Sequence, residues 1–140
     1  MAVPTRLLAA LQPLFEGECD FIVARGASGE LGVLPGHAPL LTWLKPGELM
    51  LRQGREEHFF FLEDAYLEVL PDRVSILADR GVPTTELDAA AAEESRRTAQ
   101  EELARAGNSD SPELAELQHR LEVAEYRLQA AERDRRRRRD

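Results

Sequence analysis

The chain has 140 residues, 43% of them apolar and 31% charged, and a formal net charge of −8. That length suits one ordinary domain or a small domain with an appendage. The acidic balance argues against a protein whose whole surface binds nucleic acid. The single cysteine, Cys19, permits no internal disulfide and fits a reducing compartment.

The opening run to Phe15 carries one Arg and a short apolar stretch. Glu16-Gly17-Glu18 follows where a secretory signal would have its small-residue cleavage site, so the run reads as a first strand. Nothing approaches the roughly 20 apolar residues of a membrane span, and membrane association is expected only through a partner.

Strands are predicted over 6–11, 19–25, 31–34, 38–44, 48–52, 58–62, 66–70 and 74–78. Turn signals separate them at intervals of about 8–12 residues, the rhythm of a sandwich or barrel. The stretch 29–47 holds four Gly and three Pro among short apolar runs. Within it Pro35-Gly36 predicts a tight turn of the type that needs Gly at its third position. Pro71-Asp72 closes a hairpin between its flanking strands, and Phe59-Phe60-Phe61 is apolar on both faces, as in a strand with little exposure.

The composition changes near Val82-Pro83, from Gly, Pro and aromatics to Ala, Glu, Arg and Leu. This predicts two parts, a β domain over 1–84 and a helical hairpin over 85–140. Thr85-Glu86-Leu87-Asp88 reads as a capping-box-like start, with Asp88 in the place of the usual Glu or Gln. Gly107 ends the first helix, and Asp110 or Ser111 caps the second, with Pro112 in its first turn. Leu114, Leu117, Leu121, Ala124, Leu128 and Ala131 form a heptad seam on the second helix. The facing stripe of the first, Leu87, Ala91, Ser95, Ala99, Leu103 and Ala106, is mostly small. Small residues bury little, at about 0.8 kcal/mol per CH₂, so the hairpin is expected to be weakly held and able to change partner.

No catalytic centre is expected. His37, His58 and His119 lie in different elements without metal-ligand spacing. The glycines of 26–32 are not followed by Gly-Lys-Ser/Thr, and no nucleophile elbow occurs. Arg133, Arg135, Arg136, Arg137, Arg138 and Arg139 make a basic end, interrupted by Asp134. It reads either as a solvated tail or as a cationic tip for an acidic partner; the overall charge disfavours nucleic acid.

Phe15-Glu16-Gly17-Glu18, the whole run Gly29 to Gly47, Leu67-Glu68-Val69, Pro71-Asp72-Arg73-Val74 and Ile76-Leu77-Ala78-Asp79 together resemble the epsilon subunit of bacterial F-type ATP synthases. The resemblance implies an α+β fold: an N-terminal ten-strand β-sandwich followed by a C-terminal antiparallel helical hairpin. It implies a non-catalytic subunit of the central rotor, without cofactor, peripheral on the cytoplasmic face of the bacterial membrane. The sandwich would bind the gamma subunit and the c ring, with Glu30 and His37 facing the ring. The hairpin would restrain ATP hydrolysis by extending along gamma toward the alpha and beta subunits. Its terminal arginines, Arg133 and Arg135 to Arg139, would then meet an acidic segment of beta.

Two departures stand out. Asp64-Ala65 replaces a glycine pair common ahead of the Leu-Glu-Val strand, so that turn is expected to differ. Some bacterial members bind ATP through Ile/Leu-Asp-x-x-Arg-Ala on the first helix and arginines on the second. Here the motif reads Leu87-Asp88-Ala89-Ala90-Ala91-Ala92, and Glu116 precedes Arg120 where a second Arg is often found. A triphosphate needs cations, so ATP binding is expected to be weak or absent. The competing readings are a free-standing sandwich adaptor pairing through its heptad helix, and an RNA-binding protein using the Arg tail. Co-purification with gamma favours the rotor reading; a salt-sensitive RNA complex favours the last.

Overall fold

The computed structural model describes residues 1–26, 28–107 and 111–139. The chain divides into two compact units, Met1–Thr84 and Thr85–Asp140.

The first unit contains eight strands: β1 (Val3–Ala9), β2 (Gln12–Cys19), β3 (Phe21–Gly26), β4 (Gly29–Val33), β5 (Leu40–Leu44), β6 (Gly47–Gln53), β7 (Glu56–Leu70) and β8 (Arg73–Pro83). The resemblance implies ten, and the difference lies in β7 and β8, which run unbroken through both layers. Residues 65–69 of β7 pair with β5, and residues 56–62 pair with β6. β8 follows β7 antiparallel along its length, from Phe60↔Pro83 to Leu70↔Arg73. One layer is therefore β2-β1-β8-β7-β5, with β1 and β8 parallel. The other continues β8-β7 into β6, β3 and β4. A single bridge, Gly26↔Leu44, joins β3 to β5.

The exchange of partners falls at Glu63-Asp64. Asp64 takes φ 51°, a left-handed conformation that Asp tolerates better than most residues. The predicted break between strands 58–62 and 66–70, and the altered turn expected at Asp64-Ala65, are thus replaced by a kink inside one strand.

Alternation on these strands fills the interior. Leu7, Cys19, Ile22, Leu51, Leu67 and Ile76 are fully buried, and Val33, Leu49, Val69 and Val74 nearly so. Of the apolar run Phe59-Phe60-Phe61, Phe60 and Phe61 are buried and Phe59 is half-buried, and Leu62 beside them is buried as well. Burial pushes the Cys19 thiol above its ordinary range. Pro13 sits in β2, an edge strand that pairs only with β1, next to a register shift at Leu7/Leu8. Gly36 takes φ 85° and the His37 amide donates to the Leu34 carbonyl at 3.0 Å, closing the turn predicted at Pro35-Gly36. The strands it joins do not pair with each other: β4 pairs with β3 and β5 with β7.

A 3₁₀ turn, Thr84–Glu86, begins on the last residue of the first unit and leads to α1 (Ala89–Ala106), and α2 (Pro112–Arg139) follows. The predicted capping box is corrected. Asp88 is itself the N-cap, its Oδ1 accepting from the Ala90 and Ala91 amides at 2.9 and 3.2 Å. A 3₁₀ turn at residues 84–86 displaces the helix start. Gly107 ends α1 with φ 75°. Ser111 Oγ accepts from the Leu114 amide at 3.2 Å, so Ser111 caps α2; Asp110 lies outside the described residues. The buried stripe of α1 is also shifted: Ala92 and Ala99 are buried, with Arg96 and Leu103 half-buried, whereas Ala91, Ser95 and Ala106 are exposed. Ala99 and Leu103 of the predicted stripe stay inward, while Ala92 and Arg96 take the places expected of Ala91 and Ser95. On α2, Ala124 and Ala131 of the predicted seam are buried, and Val123, Ala130 and Asp134 form a second buried stripe.

Candidate interaction surfaces

Register places one residue from each strand of the first layer in a transverse row. Trp43 pairs with Tyr66, Tyr66 with Leu77, Leu77 with Leu8, and Leu8 with Pro13. Their chain neighbours Leu7, Ala65, Leu67, Ile76 and Ala78 point into the core, so this row faces outward. Trp43 is 69% exposed and Leu41, one rung away, 66%. The adjoining rung is mostly polar, Leu41-Glu68-Ser75-Arg6-Glu16, with Arg6 and Glu16 3.5 Å apart. An apolar row edged by a polar one has the composition of a docking face. Leu41, Thr42, Trp43 and Tyr66 line a shallow groove along it. Period-two alternation in each strand could have revealed the row, but only the three-dimensional register aligns it across five strands.

Glu30 is exposed on β4, opposite Arg25 of β3. His37 is half-buried in the Pro35-Gly36 turn, where its Nδ1 donates to the Ala38 carbonyl at 2.7 Å. The structure does not bring the two together. Glu30 is near the start of β4 and His37 lies past its end, with Val33 already about 10 Å from Glu30 at the usual strand rise. Gly47 explains the end of the Gly-rich run: a Cβ there would come within 2.3 Å of Arg25 Cδ.

A clamp ties the β2–β3 corner to the β6–β7 hairpin. Asp20 accepts from Arg52 Nε at 2.9 Å and from the Gly54 amide at 2.8 Å. Arg52 also lies 5.0 Å over the Phe21 ring. These bonds hold the Asp20 carboxyl below its ordinary range.

Two of the three α1 arginines are engaged by carboxylates of their own helix. Arg96 binds Glu93 and Gln100, Arg97 binds Glu94, and Arg120 of α2 reaches Glu102 at 3.1 Å. Asp88 is occupied as a cap, and Ala91 offers no charge. This donor set does not fit a triphosphate. The basic end is helical through Arg139: Arg133, Arg135, Arg136, Arg138 and Arg139 are exposed, and Arg137 is half-buried. Arg138 Nε lies 2.9 Å from buried Asp134. Among the described residues no cluster of His, Cys, Asp and Glu could hold a metal ion, and no helix is long and apolar enough to cross a membrane.

These features define a β-sandwich with an exposed apolar row, joined to a charged helical hairpin. Residues 3–84 match the family model described as ATP synthase, Delta/Epsilon chain, beta-sandwich domain. The ATP synthase epsilon chain of Acidithiobacillus ferridurans is 38% identical over 133 residues, 95% of this chain and 93% of that one. That of Alkalilimnicola ehrlichii is 40% identical over 132 residues, 94% and 93% of the two chains. The fold matches a chain in the Euglena gracilis mitochondrial ATP synthase OSCP/F1/c-ring structure with a TM-score of 0.80, at 23% identity, covering 93% of this chain and 81% of that one. The chain belongs to the ATP synthase epsilon-chain family.

Proposed function

We propose that this chain is a non-catalytic rotor subunit that couples gamma to the c ring and restrains ATP hydrolysis through its helices. The observation that carries the reading is the transverse row Trp43-Tyr66-Leu77-Leu8-Pro13, an apolar face suited to a permanent partner. Gamma is assigned to that face. Glu30 and His37 are assigned to the c ring, at the cytoplasmic surface of the membrane. Because β4 separates them, joint contact requires β4 to lie along the ring rather than perpendicular to it. Arg133 and Arg135 to Arg139 are assigned to the beta subunit when the hairpin extends. Cysteine placed at residue 30 or 37 of the assembled enzyme tests the arrangement. Crosslinks from both to c subunits are expected. Crosslinks to alpha or beta alone would refute it, and a crosslink from only one residue would tilt β4 away from the ring.

A further inference from the structure

Arg96 occupies a seam position of α1. It lies in the buried stripe with Ala92, Ala99 and Leu103, and its side chain is 27% exposed. Counting antiparallel from the Arg120–Glu102 ion pair, Ala92 comes level with Ala130, Ala99 with Val123, and Arg96 with Tyr126. Every strong polar contact of Arg96 is to its own helix. Nε and Nη2 donate to the two Glu93 oxygens at 3.1 and 2.6 Å, and Nη1 donates to Gln100 at 2.8 Å. The charge of Glu125 on α2 also acts on it.

We propose that Arg96 is a built-in loosening residue of the helical hairpin: a charge placed in the seam but satisfied from its own helix. Parting α2 from α1 then breaks none of these hydrogen bonds. A leucine in the same place would come level with Tyr126 and lose apolar contact on parting. Ion-paired positions replaced by well-packed apolar residues are commonly neutral or stabilising, because the charged group spends much of its attraction on desolvation. The small pairs on either side, Ala92 with Ala130 and Ala99 with Val123, add little to hold the seam. This inference deepens the proposed function by naming the residue that keeps the hairpin able to change partner.

Amide hydrogen exchange on the full-length free chain tests it, since a parted helix of this length is marginal in water and exchanges. Arg96→Leu should raise protection across residues 92–103 and 121–131 by about tenfold, the order expected for one added apolar seam contact. Arg96→Gln should change protection by less than about threefold, because i,i+3 pairs within one helix contribute little. Unchanged or lower protection in Arg96→Leu overturns the proposal. So does a tenfold loss in Arg96→Gln, which would make Arg96 a clasp instead. The free chain carries no rotor partner, so failure here is distinct from failure of the rotor assignment.

Discussion

Trp43 stands directly opposite Tyr66 across β5 and β7, with ring centroids 5.2 Å apart and planes inclined at 67°. Edge-to-face pairs of this kind are favourable beyond their buried area, yet Trp43 remains largely open to solvent. The pair is therefore presented rather than buried. Interface hot spots are enriched in Trp and Tyr. Trp43→Ala with Tyr66→Ala should weaken gamma binding by at least about 2 kcal/mol, roughly thirtyfold in Kd. Circular dichroism of the variant should stay native, because Trp43 lies outside the core. Trp43 is the only tryptophan, so its emission in the unmodified chain should shift to the blue when gamma covers it. Calorimetry showing unchanged affinity would remove this face from the interface.

The β1–β2 turn offers a stability test. Ala10 and Leu11 both take positive φ, 49° and 67°, between the paired residues Ala9 and Gln12. That is a two-residue hairpin turn of the mirror-image type, for which Asn-Gly is preferred. L-residues in left-handed conformation cost about 1–2 kcal/mol each, Asn and Gly much less. Leu11 is 89% exposed, so replacing it loses no core contact. Ala10→Asn with Leu11→Gly should stabilise the sandwich by about 1 kcal/mol in urea unfolding. A lower midpoint would mean the side chains contribute something the fold does not display.

The same turn explains where sequence reading stops. Ala10-Leu11 carries no turn signal, so the first strand reads straight through it, and β2, with Pro13 and its glutamates, does not register as a strand at all. By contrast, Pro35-Gly36 states its turn type locally, through fixed φ at Pro and positive φ at Gly. The passage of β7 through both layers depends on which strands lie beside it, and no local pattern encodes that. The docking row escapes detection for the same reason: its five residues are adjacent only after register is set. The α2 seam was legible in period and in phase, every one of its six residues being buried or half-buried, whereas on α1 only the later part, Ala99 and Leu103, was; the small residues Ala91, Ser95 and Ala106 carry too little apolar contrast to fix a face.

The Asp20–Arg52 clamp predicts a direction of acid sensitivity. The folded-state pKa of Asp20 is depressed, first by the Arg52 hydrogen bond and then by the Gly54 amide. Its contribution is therefore complete above the ordinary carboxylate pKa and is lost as pH falls through the lowered folded value. Asp20→Asn should be less stable than the unmodified chain at neutral pH, and the difference should shrink as the solution is acidified. Thermal unfolding across pH checks this; a difference independent of pH would assign the effect to packing instead.

ATP should bind weakly or not at all. Each charge-assisted hydrogen bond is worth about 1.5–3 kcal/mol, and the arginines Arg96, Arg97 and Arg120 are already paired with Glu93, Glu94 and Glu102. Binding would also have to recover the Asp88 carboxylate from the α1 cap. Titration calorimetry giving micromolar affinity would contradict this account.

The arginine end carries the last prediction. α2 remains helical through Arg139, although Arg135 and Arg139 are like charges one turn apart. Two effects offset that repulsion: the helix dipole favours cations at its C-terminus, and Asp134 holds Arg138. The end is thus an ordered cationic rod. Exposed ion pairs contribute only about 0–1 kcal/mol each, but several acting together at a partly desolvated contact can tip a balance of a few kcal/mol between two hairpin states. Replacing Arg135, Arg136 and Arg139 with Gln leaves the Asp134–Arg138 pair intact. In the reconstituted complex this variant should relieve inhibition of ATP hydrolysis while still assembling on gamma. Raising salt should move the unmodified complex in the same direction, because surface charges are screened beyond about 8–10 Å near physiological ionic strength. Steady-state ATPase across salt, compared between the two complexes, decides the matter. Equal inhibition at every salt concentration would return the arginines to the role of a solvated helix end.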